Sequence, residues 1–363
     1  MLKKLLPGCL MAATLYAPAA LAKTPDETAY ESLRRIPFNL SLIGPVGFAQ
    51  VFDEPVVART SLNLLGGHVY GLDGVGIGTL YNHVDHDMSG FQAASGLNIV
   101  GRRSVGFQAA GLGNFSLASF SGVQAAGLLN VAGTVDGAQF AGLYNRSNER
   151  MTGLQAAVIN HANVVQNGAQ TAVLNMAGDV SGAQIGVMNV GGKIKGVQVG
   201  VLNIADDVDG VPIGLFSYVR QGRLEADVQV TDSGLTTLGV NSGTQRVYSI
   251  VGVSNLPKTD GNHLGLNLGL GVQFPINEAI FSRLEISGGP LQENPSSTAN
   301  WTSVNTYKAM VGWKVAPRLA VKGGVSLNYT HLREGSSFRP SENVIFESGR
   351  HQIWPAAFIG IDL

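Results

Sequence analysis

Hydrophobic and polar positions follow two different rhythms along this chain. From Gly74 to about Phe216 a short phrase recurs, roughly Gly-x-Gln-x-small-small-apolar-x-Asn-x-Ala and then a turn. It starts at Gly74, Gly90, Gly106, Gly122, Gly137, Gly153, Gly168, Gly182 and Gly196, with a partial copy at Gly210; the spacings are 16, 16, 16, 15, 16, 15, 14, 14 and 14 residues. The glutamine column is Gln92, Gln108, Gln124, Gln139, Gln155, Gln170, Gln184 and Gln198. The asparagine column is Asn82, Asn98, Asn114, Asn130, Asn145, Asn160, Asn175, Asn189 and Asn203. So short a period predicts one small supersecondary unit stacked on its neighbours. Glycine at every start argues against helix, since each interior glycine costs about 1 kcal/mol relative to alanine. The residue three before each asparagine is always small (Ser95, Gly111, Gly127, Gly142, Ala157 in five copies), which implies a close backbone approach or a tight corner.

Glutamine precedes asparagine by six residues in the earlier copies (Gln92 to Asn98) and by five in the later ones (Gln155 to Asn160). Within one straight strand such a change would throw every later side chain onto the other face. The pattern survives it, so the spare residue is expected at a corner, with glutamine and asparagine on different short strands. A β-solenoid follows, with one coil per repeat. At ~4.8 Å per coil, nine coils make a rod about 43 Å long. The competing arrangement makes each repeat one long strand of a large antiparallel barrel and needs a β-bulge in several of them.

After Phe216 the amide columns stop and long period-2 strands begin. Leu264, Leu266, Leu268, Leu270, Val272 and Phe274 alternate with Gly265, Asn267, Gly269, Gly271 and Gln273; similar alternation runs from Leu224, from Tyr307, from Leu319 and from Trp354. About eight strands fit between Arg223 and Leu363, several long enough to cross a bilayer when tilted. Apolar-out, polar-in alternation is the pattern of an outer-membrane barrel. A soluble antiparallel sandwich with one wet face produces the same alternation. The expected class is therefore all-β: a short-period repeat solenoid over 74–216, then an antiparallel β-domain over 217–363 that is a small barrel of about eight strands.

The start of the chain reads as an address. Lys3 and Lys4, the apolar run from Leu5 to Tyr16, and Ala20-Leu21-Ala22 have the layout of a cleaved secretory signal over residues 1–22. Leu6-Pro7-Gly8-Cys9 resembles a lipobox, but Cys9 comes too early to leave an apolar segment before it. Residues 23–73 form a lead-in. Thr24-Pro25-Asp26-Glu27 predicts a helix start, with the helix running to about Arg35. Alternating segments follow at Phe38–Leu42 and Ser61–Leu65.

Composition narrows the function classes. Charged residues are 13% of the 363, glycines number 48, and 24 basic residues balance 25 acidic ones. So few charges argue against a disordered polar chain, and the lack of a basic surplus argues against a nucleic-acid partner. Cys9 is the only cysteine, so disulfide and thiol chemistry is not expected of the mature chain. His83-Val84-Asp85-His86-Asp87 is the one compact group of potential metal ligands, but strand alternation separates His86 from the rest, and the group is read as a polar turn between repeats. Asp206-Asp207-Val208-Asp209 lacks the glycine-rich nonapeptide of calcium-binding β-rolls. Gly74-x-Gly76-x-Gly78 lacks the third glycine and the downstream acid of a dinucleotide site. No catalytic residue, cofactor or metal site is expected. The amide columns are the candidate functional residues, read as ladders that fix register, with an outward-facing binding array as the other possibility.

Several stretches carry a resemblance: Ser61-Leu62-Asn63-Leu64-Leu65-Gly66-Gly67, Gly71-Leu72-Asp73-Gly74-Val75-Gly76-Ile77-Gly78, the Gly-Val-Gln-Val-Gly-Val-Leu-Asn-Ile-Ala of 196–205, and Pro212-Ile213-Gly214-Leu215-Phe216-Ser217-Tyr218-Val219. Over about residues 38–255 the chain resembles the surface-repeat proteins of Gram-negative bacteria. This chain departs from their pattern at Gly113, Arg146 and His161. The resemblance implies an exported outer-membrane or cell-surface protein and brings no catalytic residues. The expected role is non-enzymatic, as scaffold or adhesin, with the outer membrane and a surface polysaccharide or protein as the expected partners. Two other roles fit the same residues: a pore whose wall includes the repeats, and a self-assembling surface fibre.

Overall fold

The computed structural model describes residues 30–44, 46–258, 261–293, 301–332, 339 and 341–363. The expected signal over 1–22 and most of the expected N-terminal helix lie outside the described residues. Tyr30 and Glu31 are helical, but a strand, Arg34–Ile43, begins before the helix was expected to end. The β-branched and aromatic residues that follow (Ile36, Phe38) favour extended backbone and find a parallel partner in Val56–Asn63.

The repeats form a parallel β-solenoid. Equivalent residues of successive coils sit directly above one another: Asn114 pairs Asn130 and Asn130 pairs Asn145, while Gln124 pairs Gln108 on one side and Gln139 on the other. Glutamine and asparagine occupy different strands, as at Gln92 in Met88–Ala94 and Asn98 in Leu97–Val100. The bend between them is the expected corner. In the later coils, where the corner is one residue shorter, extended backbone continues without a break from Ile159 to Val219. One coil absorbs an irregularity elsewhere: register shifts between Met151 and Gly153, and Asn167 takes a left-handed φ of 52° just before Gly168.

The repeat-start glycines are dictated by stacking. Gly122 has φ +129°, and a Cβ built on it would lie 2.0 Å from the carbonyl oxygen of Gly106 in the coil below. No side chain fits there, which is why the repeat is punctuated by glycine.

The stack begins earlier than the repeat phrase does. Register runs from Gly76 back through Ser61 to Asn39, so the lead-in is solenoid from Arg34 onward. It also ends later, because Ser217 accepts the last asparagine hydrogen bond of the ladder. The interior has two halves. One holds the amides. The other is a column of apolar side chains, including Phe120, Val135, Met151, Val165, Val180 and Ile194; each fully buried side chain of this size contributes about 1.5–3 kcal/mol.

From Arg223 the chain forms a closed antiparallel barrel of eight strands: Arg223–Thr231, Thr236–Gly243, Val247–Lys258, Gly261–Pro275, Ile280–Gln292, Trp301–Ala316, Leu319–His331 and His351–Asp362. Pairing of the first strand with the last, Val228 with Ile361 for example, closes it. The repeats contribute no strand to its wall, so a barrel built from the repeats is excluded. The last coil packs against the barrel wall, and the backbone N–H of Ser217 donates to Ser242 Oγ at 3.2 Å.

Candidate functional site

The predicted amides are all buried inside the solenoid. Each asparagine from Asn63 to Asn189 donates through Nδ2 to Oδ1 of the asparagine one coil further on, at 2.7–3.1 Å. The same nitrogen bonds a backbone carbonyl of the next coil, as Asn130 does to Phe140 at 2.8 Å. The glutamines bond in the opposite sense. Gln108 donates back to Gln92, and so on to Gln198, which donates to Gln184, at 2.7–3.0 Å. Buried amides need partners, and an identical amide one rung away supplies one in each coil. The ladders therefore set register and offer no outward binding array.

What the solenoid does present outward is a flank without charge. The position after the glutamine carries Phe140, Ile185 and Val199, with Ile213 at the matching place in the last coil, and the next corner adds Leu112, Leu128, Leu143, Val173, Val187 and Val201, all exposed. Between these two rows runs a shallow groove floored by small residues such as Ala126, Gly142, Ala157 and Gly186. Near the barrel the groove is also lined by Leu268 and Leu270 of the barrel wall. Charged side chains such as Asp136, Arg150, Lys193 and Lys195 occur at other outward positions of the coils.

The barrel is polar inside and apolar outside. Arg283 meets Asp362 at 2.8 Å and Glu225 at 3.2 Å; Lys322 meets Asp362 at 2.7 Å and also contacts Asp227. Arg223 pairs with Glu225, and Tyr248 donates to Glu285 at 2.7 Å. Trp354, Phe281 and Phe358 fill more of the lumen. Outward positions carry Leu238, Val253, Leu264, Leu284, Val311, Trp313, Val325 and Ile359, all exposed. Eight strands enclose a space that side chains fill, and this lumen is occupied by an ion-paired core.

A histidine cluster lies near the start of the solenoid. His68 in Gly66–Val69 pairs in register with His83 in Tyr81–Val84, and their rings stack with centroids 4.9 Å apart. Asp85 follows His83 on the same side. Its Oδ2 lies 2.7 Å from His68 Nε2 and its Oδ1 lies 3.5 Å from His83 Nε2. The hydrogen bond to Asp85 raises the pKa of His68, whereas burial lowers that of His83. His86, read with these residues in the sequence, points elsewhere and stacks on Tyr30 at 4.4 Å. Burial, reinforced by the charge of Asp87, pushes the Tyr30 hydroxyl up to about 12. Sequence reading did not bring in His68, although it precedes His83 by 15 residues, one repeat length.

No family model and no curated protein matches this chain. Among solved structures, the NanC porin in a rhombohedral crystal form is similar at 8% identity with a TM-score of 0.19, over 39% of this chain and 99% of that one.

Proposed function

We propose that this is an outer-membrane protein in which the barrel is an anchor and the solenoid a non-enzymatic scaffold held against the periplasmic leaflet. The observation that carries this reading is the polarity of the barrel. An exposed band of Leu, Val, Ile and Trp surrounds a lumen full of ion pairs, which inverts a water-soluble fold and suits a lipid surround. A lumen packed with side chains supports an anchor rather than an open pore.

Turn lengths favour one side. Where the solenoid joins, the barrel strands are linked by residues 244–246, 276–279 and 317–318; the opposite end carries 232–235 and 259–260 and the two longest connections, 293–300 and 332–350. Barrels of this kind keep short turns in the periplasm and long loops outside. The solenoid then lies on the periplasmic side, which supports a scaffold over the adhesin role. Its uncharged flank opens onto Leu268 and Leu270, in the middle of a lipid-facing strand. Acyl chains of the inner leaflet are the natural cover for such a flank.

The test uses single cysteines, convenient because Cys9 is the only native one. With membrane fractionation and a heat-modifiable band confirming insertion, Ile345→Cys at the long-loop end should react with an impermeant maleimide on intact cells. Lys195→Cys on the solenoid should react only after the outer membrane is opened. The reverse pattern would refute the orientation, and a protein recovered without membranes would refute the anchor.

A further inference from the structure

We infer that His68, His83 and Asp85 form a binding site for one divalent transition-metal ion of the zinc type, set in the wall of the solenoid and open to solvent on one side. The three ligand atoms lie within 4.8 Å of one another. Metal bonds of about 2.0–2.1 Å at tetrahedral angles need donor atoms some 3.4 Å apart, and the observed separations from the Asp85 carboxylate are 2.7 and 3.5 Å. Small rotations of the side chains bring all three onto one centre.

The backbone arranges this before any ion arrives. His68 and His83 are register partners on adjacent parallel strands, so their imidazoles share one outward face at the spacing of the sheet. Asp85 follows His83 by two residues and reaches the same face. Two imidazoles and a carboxylate are a donor set that selects zinc and its neighbours over calcium or magnesium, which prefer oxygen alone. In the next coil the column ends, because Ile99 stands where a third histidine would have stacked. The site is therefore confined to one pair of coils. Both histidines are half-buried and Asp85 is exposed, which leaves a coordination position facing water for a solvent molecule or an external ligand. An ion here would clamp together the coils that lack the glutamine ladder, since Gly76 and Ser61 occupy those rungs.

The experiment is calorimetric titration of zinc chloride into the detergent-solubilised full chain, followed by cobalt substitution to read the ligand field. One equivalent should bind, and the cobalt form should show the intense visible bands of a four-coordinate site. His83→Gln and Asp85→Asn should each weaken binding by at least about tenfold, with an unchanged circular dichroism spectrum and heat-modifiable band. His351→Gln is the control, because His331 and His351 form a second histidine pair 3.3 Å apart in the barrel; it should leave the affinity intact. Binding that survives His83→Gln and Asp85→Asn, or that His351→Gln alone abolishes, would overturn the assignment. So would a wild-type protein that takes up no zinc while still showing the folded barrel band, an outcome that leaves the membrane anchor standing.

Discussion

Ser217 donates its backbone N–H to Ser242 Oγ at 3.2 Å, joining the last rung of the solenoid to the barrel wall. That end of the rod is thereby covered by its own chain. A head-to-tail fibre needs a free edge at both ends; among the described residues the barrel occupies one end, and Val46–Gly47 pairs with part of the first strand at the other. The purified full-length protein is expected to give no thioflavin-positive filaments at any concentration up to its solubility limit; electron microscopy of concentrated samples checks this.

Removing a ladder amide should be costly. Asn130→Leu takes one hydrogen-bond partner each from Oδ1 of Asn145, from the Phe140 carbonyl and from Nδ2 of Asn114, which keeps its bond to the Ala125 carbonyl. Each buried group left without a partner costs roughly 1–3 kcal/mol. A large drop in the solenoid melting temperature, with the barrel band unchanged, is the expected result.

Gly122→Ala should be nearly as harmful despite adding one methyl group. The alanine would have to adopt φ +129° with its Cβ 2.0 Å from the Gly106 carbonyl oxygen. Backbone strain of this kind costs about 1–3 kcal/mol before the clash is counted. Thermal unfolding of Gly122→Ala beside an alanine substitution at exposed Leu128 would separate strain from lost surface contact.

Acid should weaken the solenoid partly through His161. Burial, aided by the nearby Arg146 charge, holds its pKa below the usual value of 6.5. Between the two values the unfolded chain binds more protons than the folded one, so stability rises with pH there. The contribution is complete above pH 6.5 and is lost as pH falls through the folded-state value. His161→Gln should flatten the fall in melting temperature between pH 7.5 and 5 relative to wild type.

The lumen network makes a separate prediction. Arg283→Met leaves Asp362 with Lys322 alone and Glu225 with Arg223 alone inside the barrel, and the roughly 3–5 kcal/mol of breaking a buried pair outright is the upper bound on the cost. The temperature at which the folded gel band disappears should fall clearly. Wild-type protein in planar bilayers should carry no steady current.

The solenoid was legible because its markers repeat: Gln92 through Gln198 and Asn98 through Asn203 align at one coil per copy. The corner between them followed from the change of spacing between Gln139–Asn145 and Gln155–Asn160. The first coils were harder to see, since Ser61 and Gly76 replace glutamine there while the backbone register continues. The same gap hid the histidine site. His68 joins His83 only once the degenerate coil is counted as a coil. In the barrel, alternation indicated which side chains face inward, but not that Arg283 reaches Asp362, because that contact crosses strands distant in sequence.

The two amide ladders point in opposite directions along the rod, asparagines toward the barrel and glutamines away from it. Their electrostatic moments oppose each other coil by coil, so adding a coil accumulates no net axial polarisation. The mismatch is confined to the termini of the glutamine series, where Gln92 Nε2 and Gln198 Oε1 have no amide beyond them. Lengthening or shortening the stack by a whole module should therefore leave the energetics of every remaining rung unaltered, which makes span a quantity that duplication and deletion can vary freely.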